Sequence, residues 1–143
     1  MKRLYIINLI FVFIMLSTAL KAAPFTDNGN GTVTDTATGL IWQQGEGGQA
    51  TWANALSYCN TLSLVGRAWR LPNRNELQSI VDYTKASLTI DTTAFPSAVA
   101  SNYWSSTTGA SYTTSAWNVH FSGGNVSGGD KSFSYYVRCV SGP

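Results

Sequence analysis

Two cysteines and one histidine are the side chains of this sequence best suited to redox, nucleophilic or metal chemistry. Cys59 and Cys139 lack the CxxC spacing of a redox motif or zinc site, and His120 has no second histidine to complete a ligand set. In an exported chain, two such cysteines favour a disulfide, which closes 80 residues and stabilises the fold by up to about 4.5 kcal/mol. A metal pair and two reactive thiols are the alternatives. We predict no metal and no other cofactor.

The carboxylates offer two further candidates for chemistry. The segment Asp27-Asn28-Gly29-Asn30-Gly31 superficially resembles a calcium loop, but its third and fifth positions are glycine and no closing glutamate follows. Its Asn-Gly pairs instead favour the turn of a plain hairpin. Glu76 stands three residues after Asn73, the spacing of a capping box, which predicts a helix-start residue rather than a catalytic acid.

Polar and aromatic side chains in the last third of the chain are the candidates for ligand binding. In Trp117–Phe121 the odd positions are apolar and the even ones polar, so one face is predicted to be buried while the other faces outward or into a groove. Turn and polar-face positions supply the predicted ligand-binding residues: Tyr112, Asn118, His120, Asn125 and Lys131. For each of these residues taken singly, ordinary solvated surface is the alternative.

The first 22 residues have the organisation of an export signal. Lys2 and Arg3 precede a largely apolar stretch from Leu4 to Leu16, and small residues follow up to Ala22. Cleavage after Ala22 leaves a domain of 121 residues, 23–143, with six basic and seven acidic side chains, hence a net charge of −1. This net charge excludes nucleic-acid binding through a basic surface, because no excess of Lys or Arg is present to neutralise phosphates. The predicted location is periplasmic or secreted, with no membrane span after cleavage; an uncleaved anchor is the alternative.

The composition of residues 23–143 indicates a domain dominated by strands, turns and ordered loops. Ser, Thr, Gly and Asn make up 52 of these 121 residues, which leaves little material for long helices. All five tryptophans lie here, and we predict that they form the core rather than ligand platforms. They are Trp42, Trp52, Trp69, Trp104 and Trp117.

Two short helices and several strands are predicted to position these residues. Thr51 and Asn73 are the expected N-caps of the helices, and the first helix directs Cys59 toward the core. Paired strands are expected within Phe25–Trp42 and from Tyr103 onward, and the last segment, Tyr135–Val140, is expected to be one strand carrying Cys139. Gly123-Gly124 and Gly128-Gly129 are predicted to form turns.

Six stretches resemble one known family along nearly the whole predicted domain. Two early stretches are Phe25–Asp35 and Thr38–Trp42; two central ones are Thr51–Ala55 with Cys59, and Trp69-Arg70-Leu71-Pro72 with Glu76-Leu77. The remaining stretches are Tyr103–Ser106 and Tyr136–Val140. Together they resemble the Lcl C-terminal domain family, whose best-known member is the glycan-binding end of a collagen-like bacterial adhesin.

The resemblance implies an α+β, C-type-lectin-like fold, with two short helices, antiparallel sheets, and adjacent N- and C-terminal strands. Such a fold joins a first-helix cysteine to one in the last strand, as inferred for Cys59 and Cys139. The calcium motifs of C-type lectins are absent, because the only Pro-Asn follows Leu71 and Trp117-Asn118 continues to Val119. Calcium-dependent sugar recognition is therefore not expected. For the sulfated-glycan binding known in the family, the chain offers only a local cluster of Arg67, Arg70 and Arg74.

The leading hypothesis is an exported, non-catalytic module that binds a glycan or a cell-surface protein. The second hypothesis is a structural component that oligomerises in the envelope, as a homo-oligomer. The third is an enzyme, because Trp69–Pro72 with Glu76 also resembles the formylglycine-generating enzymes. Their active-site cysteines have no counterpart here if Cys59 and Cys139 are joined, and we expect no enzymatic activity.

Overall fold

The early strands form a four-stranded antiparallel sheet. The computed structural model describes residues 24–142, so the predicted signal peptide 1–22 lies outside the described residues. The strands are β1 (Phe25–Asp27), β2 (Thr32–Asp35), β3 (Ile41–Gln43) and β9 (Val140–Ser141), in the order β1-β2-β3-β9. The predicted hairpin is confirmed, and Gly29 and Gly31 adopt positive φ in its turn. The predicted adjacency of the terminal strands is wrong, because β2 and β3 lie between β1 and β9.

A five-stranded mixed sheet forms the second half of the domain. Its strands are β4 (Gln49–Ala50), β5 (Asn102–Thr108), β6 (Ser115–His120), β7 (Asn125–Asp130) and β8 (Tyr135–Tyr136). They lie in the order β4-β8-β5-β6-β7, and β5 pairs parallel with β8 while the other pairs are antiparallel. The α+β class is confirmed. The prediction of turns is correct for Gly123-Gly124 and wrong for Gly128-Gly129, which lie within β7.

Two short helices pack against the sheets as expected. Helix α1 (Trp52–Thr61) follows Thr51 and buries Ala55 and Cys59. Helix α2 (Arg74–Ser79) begins with a complete capping box, in which the Asn73 side chain accepts from the Glu76 amide and the Glu76 carboxylate accepts from the Asn73 amide. Glu76 is thus the helix-start residue that its spacing predicts.

The Cys59–Cys139 disulfide joins α1 to the end of the chain. The two Cα atoms lie 5.5 Å apart, within the normal range for a disulfide. The segment carrying Cys139 is not one strand as predicted, because the chain leaves the second sheet after β8 and enters the first sheet at β9. Val137 and Cys139 nevertheless share one buried cluster, as their alternate spacing indicated.

The core is divided into two apolar clusters, one on each side of this crossing. Trp42 lies in the cluster with Leu77 and Phe121, and Trp69 and Trp104 lie in the cluster around the disulfide. The core prediction is confirmed for these three tryptophans. It is wrong for Trp117, which is partly exposed and belongs to neither cluster, whereas Trp52 packs at the edge of the second cluster.

A buried arginine fastens the loop between β3 and β4 to the crossing segment. The Arg138 side chain is fully buried and donates to the carbonyl oxygens of Gln43, Gln44 and Gly45 at 2.6–3.1 Å. Its Nη2 also lies 2.7 Å from the Glu46 carboxylate, which accepts a hydrogen bond from the Tyr103 hydroxyl. Burial raises the pKa of Glu46, although Tyr103 and Arg138 both act to lower it.

Candidate functional site

Asn118 does not face outward, contrary to prediction. It is only 1% exposed, and its Oδ1 accepts a hydrogen bond from the Ser127 hydroxyl at 3.0 Å. The ring of Tyr135 approaches the same sheet face beside Gly129, where an added Cβ would lie 2.6 Å from the ring and 3.1 Å from Asn118 Nδ2. The β6 face that carries Asn118 is therefore covered at this position, and Asn118 cannot contact a large ligand directly.

His120 and Asn125 lie at the far end of the β6–β7 hairpin, where they pair across the strands. Asn125 is exposed and His120 is partly exposed. His120 Nδ1 lies 2.7 Å from the Ser122 hydroxyl oxygen, a serine partner that the sequence did not reveal. Their role as ligand-binding residues stays a prediction.

The Ser122–His120 contact has the geometry of a turn rather than of a catalytic dyad. The Ser122 amide also donates to His120 Nδ1, and the amides of Gly123 and Gly124 both donate to the His120 carbonyl oxygen. These amides are thus not free to act as oxyanion donors. In the part of the chain that the structure describes, no carboxylate is hydrogen-bonded to the imidazole to orient it.

Tyr112 and Lys131 lie together at the opposite end of β6, around the β5–β6 loop, 109–114. Tyr112 is 75% exposed, whereas Lys131 is partly buried with its ammonium 4.0 Å from the centre of the Trp52 ring. Lys131 donates to the Thr108 hydroxyl at 3.0 Å and to the Thr113 carbonyl at 2.8 Å, so it holds this loop in place. The five predicted residues therefore form two separate groups with Asn118 buried between them.

Trp117 is a candidate ligand-binding residue that the sequence did not indicate. It lies on the β6 face that packs against α2, but α2 begins only at Arg74, whose guanidinium covers the indole at 5.1 Å from the ring centre. On the neighbouring strand its direct partner is Gly128, which offers no side chain to cover it. The alternating pattern of β6 predicts burial and carries no signal of these two neighbours.

Two hollows adjoin at Trp117, and we call the residues that line them the Trp117 surface. The first has a volume of 380 Å³, and the second, on the side of Arg74, has a volume of 310 Å³. The first is lined by Gly109, Ala110, Ser111, Tyr112, Ser115, Ala116, Trp117 and Gly128. The second is lined by Asn73, Arg74, Asn75, Thr107, Thr108, Ala110 and Trp117.

The electrostatics of the Trp117 surface favour a neutral or anionic ligand. Neither hollow is lined by Asp or Glu, and Arg74 is the one charged side chain among their lining residues. Arg70 is paired instead with Glu76 through two 2.7 Å hydrogen bonds, which are the main cause of the lowered pKa of Glu76. Arg67 donates to the Ser141 hydroxyl. Of the three arginines in the predicted cluster, only Arg74 thus lines the surface.

A larger hollow of 650 Å³ lies at the C-terminal end of α2, next to Pro24. Its charged lining residues are Asp82, Lys85 and Asp91. Both carboxylates already accept hydrogen bonds from the backbone amides of their own turns, at Thr84 and Thr93. The aromatic content of this hollow is limited to Phe25, which packs edge-on against Phe95. It is therefore a poorer match than the Trp117 surface for the predicted recognition by rings and amides.

The family model of the Lcl C-terminal domain matches residues 31–141, which include every residue of the Trp117 surface. The chain belongs to the Lcl C-terminal domain family. No curated protein matches the sequence. In this Lcl C-terminal domain, among residues 24–142, no group of three or more His, Cys, Asp or Glu side chains is placed to hold a metal ion. Over the same residues, no helix has the length and apolar character needed to span a bilayer.

Proposed function

We propose that this Lcl C-terminal domain is an exported, non-catalytic module that binds a glycan, without calcium, at the Trp117 surface. The single observation that carries the proposal is the partly exposed indole of Trp117 between two hollows free of acidic side chains. An aromatic ring packs against the C–H face of a sugar, while nearby hydroxyl, amide and guanidinium groups satisfy its polar atoms. Asn75, Thr107 and Arg74 provide such groups here.

Export and the absence of catalysis belong to the same proposal. The Cys59–Cys139 disulfide supports an oxidising compartment, periplasmic or extracellular, because disulfides rarely persist in the cytosol. It also occupies both sulfur atoms that a formylglycine-generating enzyme would need. The C-type-lectin-like fold is part of this proposal: a disulfide between the first helix and the end of the chain, with two short helices beside the sheets, supports it.

The test is a screen of the purified, exported protein on an array of neutral, sialylated and sulfated glycans, once with calcium and once with EDTA. We expect at least one glycan class to bind, and Trp117→Ala and Tyr112→Ala to weaken its binding at least tenfold. Phe133→Ala is the matched control, because Phe133 is 53% exposed and lines neither hollow. Its affinity should equal that of the wild type.

Three outcomes would overturn the proposal. Binding of no glycan on the array would remove its basis, and binding that EDTA abolishes would contradict calcium independence. Binding that survives Trp117→Ala would place the site elsewhere. Analytical ultracentrifugation addresses the alternatives: a stable homo-oligomer without glycan affinity favours the structural role, and capture of a surface protein by the Trp117 surface favours a protein ligand.

A further inference from the structure

Gly128 is a glycine that neither the backbone nor the packing of the domain requires. It lies within β7 directly opposite Trp117, it is exposed, and its φ lies outside the left-handed region that favours glycine. A Cβ added there would meet no heavy atom within 4 Å. A glycine inside a strand loses more conformational entropy on folding than any other residue. Gly128 therefore lowers the stability of the domain, and no contact within the chain requires it.

The next residue, Gly129, provides the internal contrast. Its side-chain position points to the opposite face of the sheet, where a Cβ would lie 2.6 Å from the Tyr135 ring and 3.1 Å from Asn118 Nδ2. Glycine is therefore needed at 129 for packing. Packing within the folded chain thus explains the glycine at 129 but not the glycine at 128.

Because Gly128 has no side chain, the 380 Å³ hollow extends over the strand beside Trp117. Directly opposed residues of antiparallel strands have Cβ atoms about 4.5–5.5 Å apart, so any side chain beyond alanine at 128 would extend beside the indole. Such a side chain would cover the ring from the side opposite β5. The lining of this hollow carries no formal charge, because its polar members are two serines and a tyrosine.

We infer that Gly128 determines ligand specificity by keeping the Trp117 indole open to the uncharged, C–H face of a pyranose ring. This inference rests on the proposed function and adds to it both the class of the sugar unit and the residue that admits it. The unit seated beside Trp117, Tyr112 and Gly128 is neutral, whatever charge the rest of the glycan carries. Any anionic substituent lies on the other side of Trp117, toward Arg74, where the cation is.

The experiment measures, by titration calorimetry, the affinity of Gly128→Ala and Gly128→Thr for the glycan that binds the wild type most tightly on the array. Urea unfolding of the same variants is measured in parallel. We expect a small loss of affinity for Gly128→Ala and at least a tenfold loss for Gly128→Thr. Both variants should unfold at the same urea concentration as the wild type or a higher one, because the backbone gains propensity and nothing clashes. Gly129→Ala should unfold at a lower concentration.

The outcomes separate this inference from the proposed function. If Trp117→Ala abolishes binding and Gly128→Thr binds like the wild type, the proposed function stands and the role of Gly128 is refuted. If Gly128→Thr loses both affinity and stability, glycine is structural at 128 and the inference is also refuted. If the wild type binds no glycan, both fall together. Selection of glycans whose every sugar unit is charged would likewise contradict a neutral unit in this hollow.

Discussion

Replacing Arg138 by methionine tests how strongly the buried ion pair holds the loop between β3 and β4. The guanidinium makes three hydrogen bonds to main-chain carbonyls and one to Glu46, and it lies 4.6 Å from the centre of the Phe95 ring. In Arg138→Met the three carbonyl oxygens lose this donor, and the Glu46 side chain, only 8% exposed, keeps the Tyr103 hydroxyl as a donor but loses its cationic partner. Removing one partner of a buried pair costs about 3–5 kcal/mol of unfolding free energy.

Urea denaturation at pH 8, with the disulfide intact, measures this cost. With an m-value of about 1.5 kcal/mol/M, a loss of about 4 kcal/mol lowers the unfolding midpoint by roughly 2.7 M. Arg67→Met is the matched control, because Arg67 is exposed and makes one hydrogen bond, to Ser141; we expect it to cost less than about 0.5 kcal/mol. Glu46→Gln keeps an acceptor for Arg138 and Tyr103 and should cost about 1–2 kcal/mol.

The double variant and the pH dependence show whether the Glu46 carboxylate, left without Arg138, causes the loss of stability. In the Glu46→Gln background, Arg138→Met should cost at least about 1.5 kcal/mol less than it does alone, because no carboxylate is left unpaired. Burial already raises the pKa of Glu46, and loss of Arg138 raises it further. A raised folded-state pKa favours the fold at low pH and lessens its stability as pH rises through that value, so the penalty should be smaller at pH 5 than at pH 8. Additive losses, or a penalty below about 1 kcal/mol, would refute this reasoning.

Two further predictions concern the disulfide and the capping box. Replacing both Cys59 and Cys139 by alanine should lower the unfolding free energy by up to about 4.5 kcal/mol, since an 80-residue loop is no longer closed in the unfolded chain; urea midpoints with and without a reducing agent check this, and a change below about 1 kcal/mol would contradict it. Glu76→Gln should cost about 1 kcal/mol at pH 7. Hydrogen bonding to Arg70 lowers the pKa of Glu76 from 4.5, so the contribution of the carboxylate is complete above pH 4.5 and disappears as pH falls through the folded-state pKa. Thermal unfolding measures the stability difference between wild type and Glu76→Gln. An equal difference at pH 7 and below that pKa would contradict this prediction.

The features that could be predicted from the sequence are those set by residues close together in the chain. The Asn-Gly turns determine the first hairpin, and the spacing of Asn73 and Glu76 determines the start of α2. The disulfide was also predictable, because two cysteines in a chain that its sequence predicts to be exported leave few alternatives.

The burial of Asn118 and Arg138 could not be predicted, because it depends on partners distant in sequence. Period-two alternation in β6 separates two faces, but it does not tell what covers each. Tyr135 covers the face that carries Asn118, and it does so only because Gly129 leaves room. Arg138 is buried because the chain changes sheets between β8 and β9, a crossing that no local pattern in Tyr135–Val140 encodes.

The candidate site arises from the same strand that supplies part of the core. Val119 and Phe121 are fully buried in one cluster with Leu77 of α2, so the alternate residues from Trp117 to Phe121 on this face are all apolar. Helix α2 begins too late to bury Trp117 as well, and at its start the Arg74 guanidinium lies over the indole. An apolar strand face that extends past its covering helix, opposite a strand with no side chain at 128, leaves a large aromatic ring accessible to solvent. The Asn73 capping box fixes where α2 begins, and this start position leaves Trp117 at the surface while Val119 lies in the core.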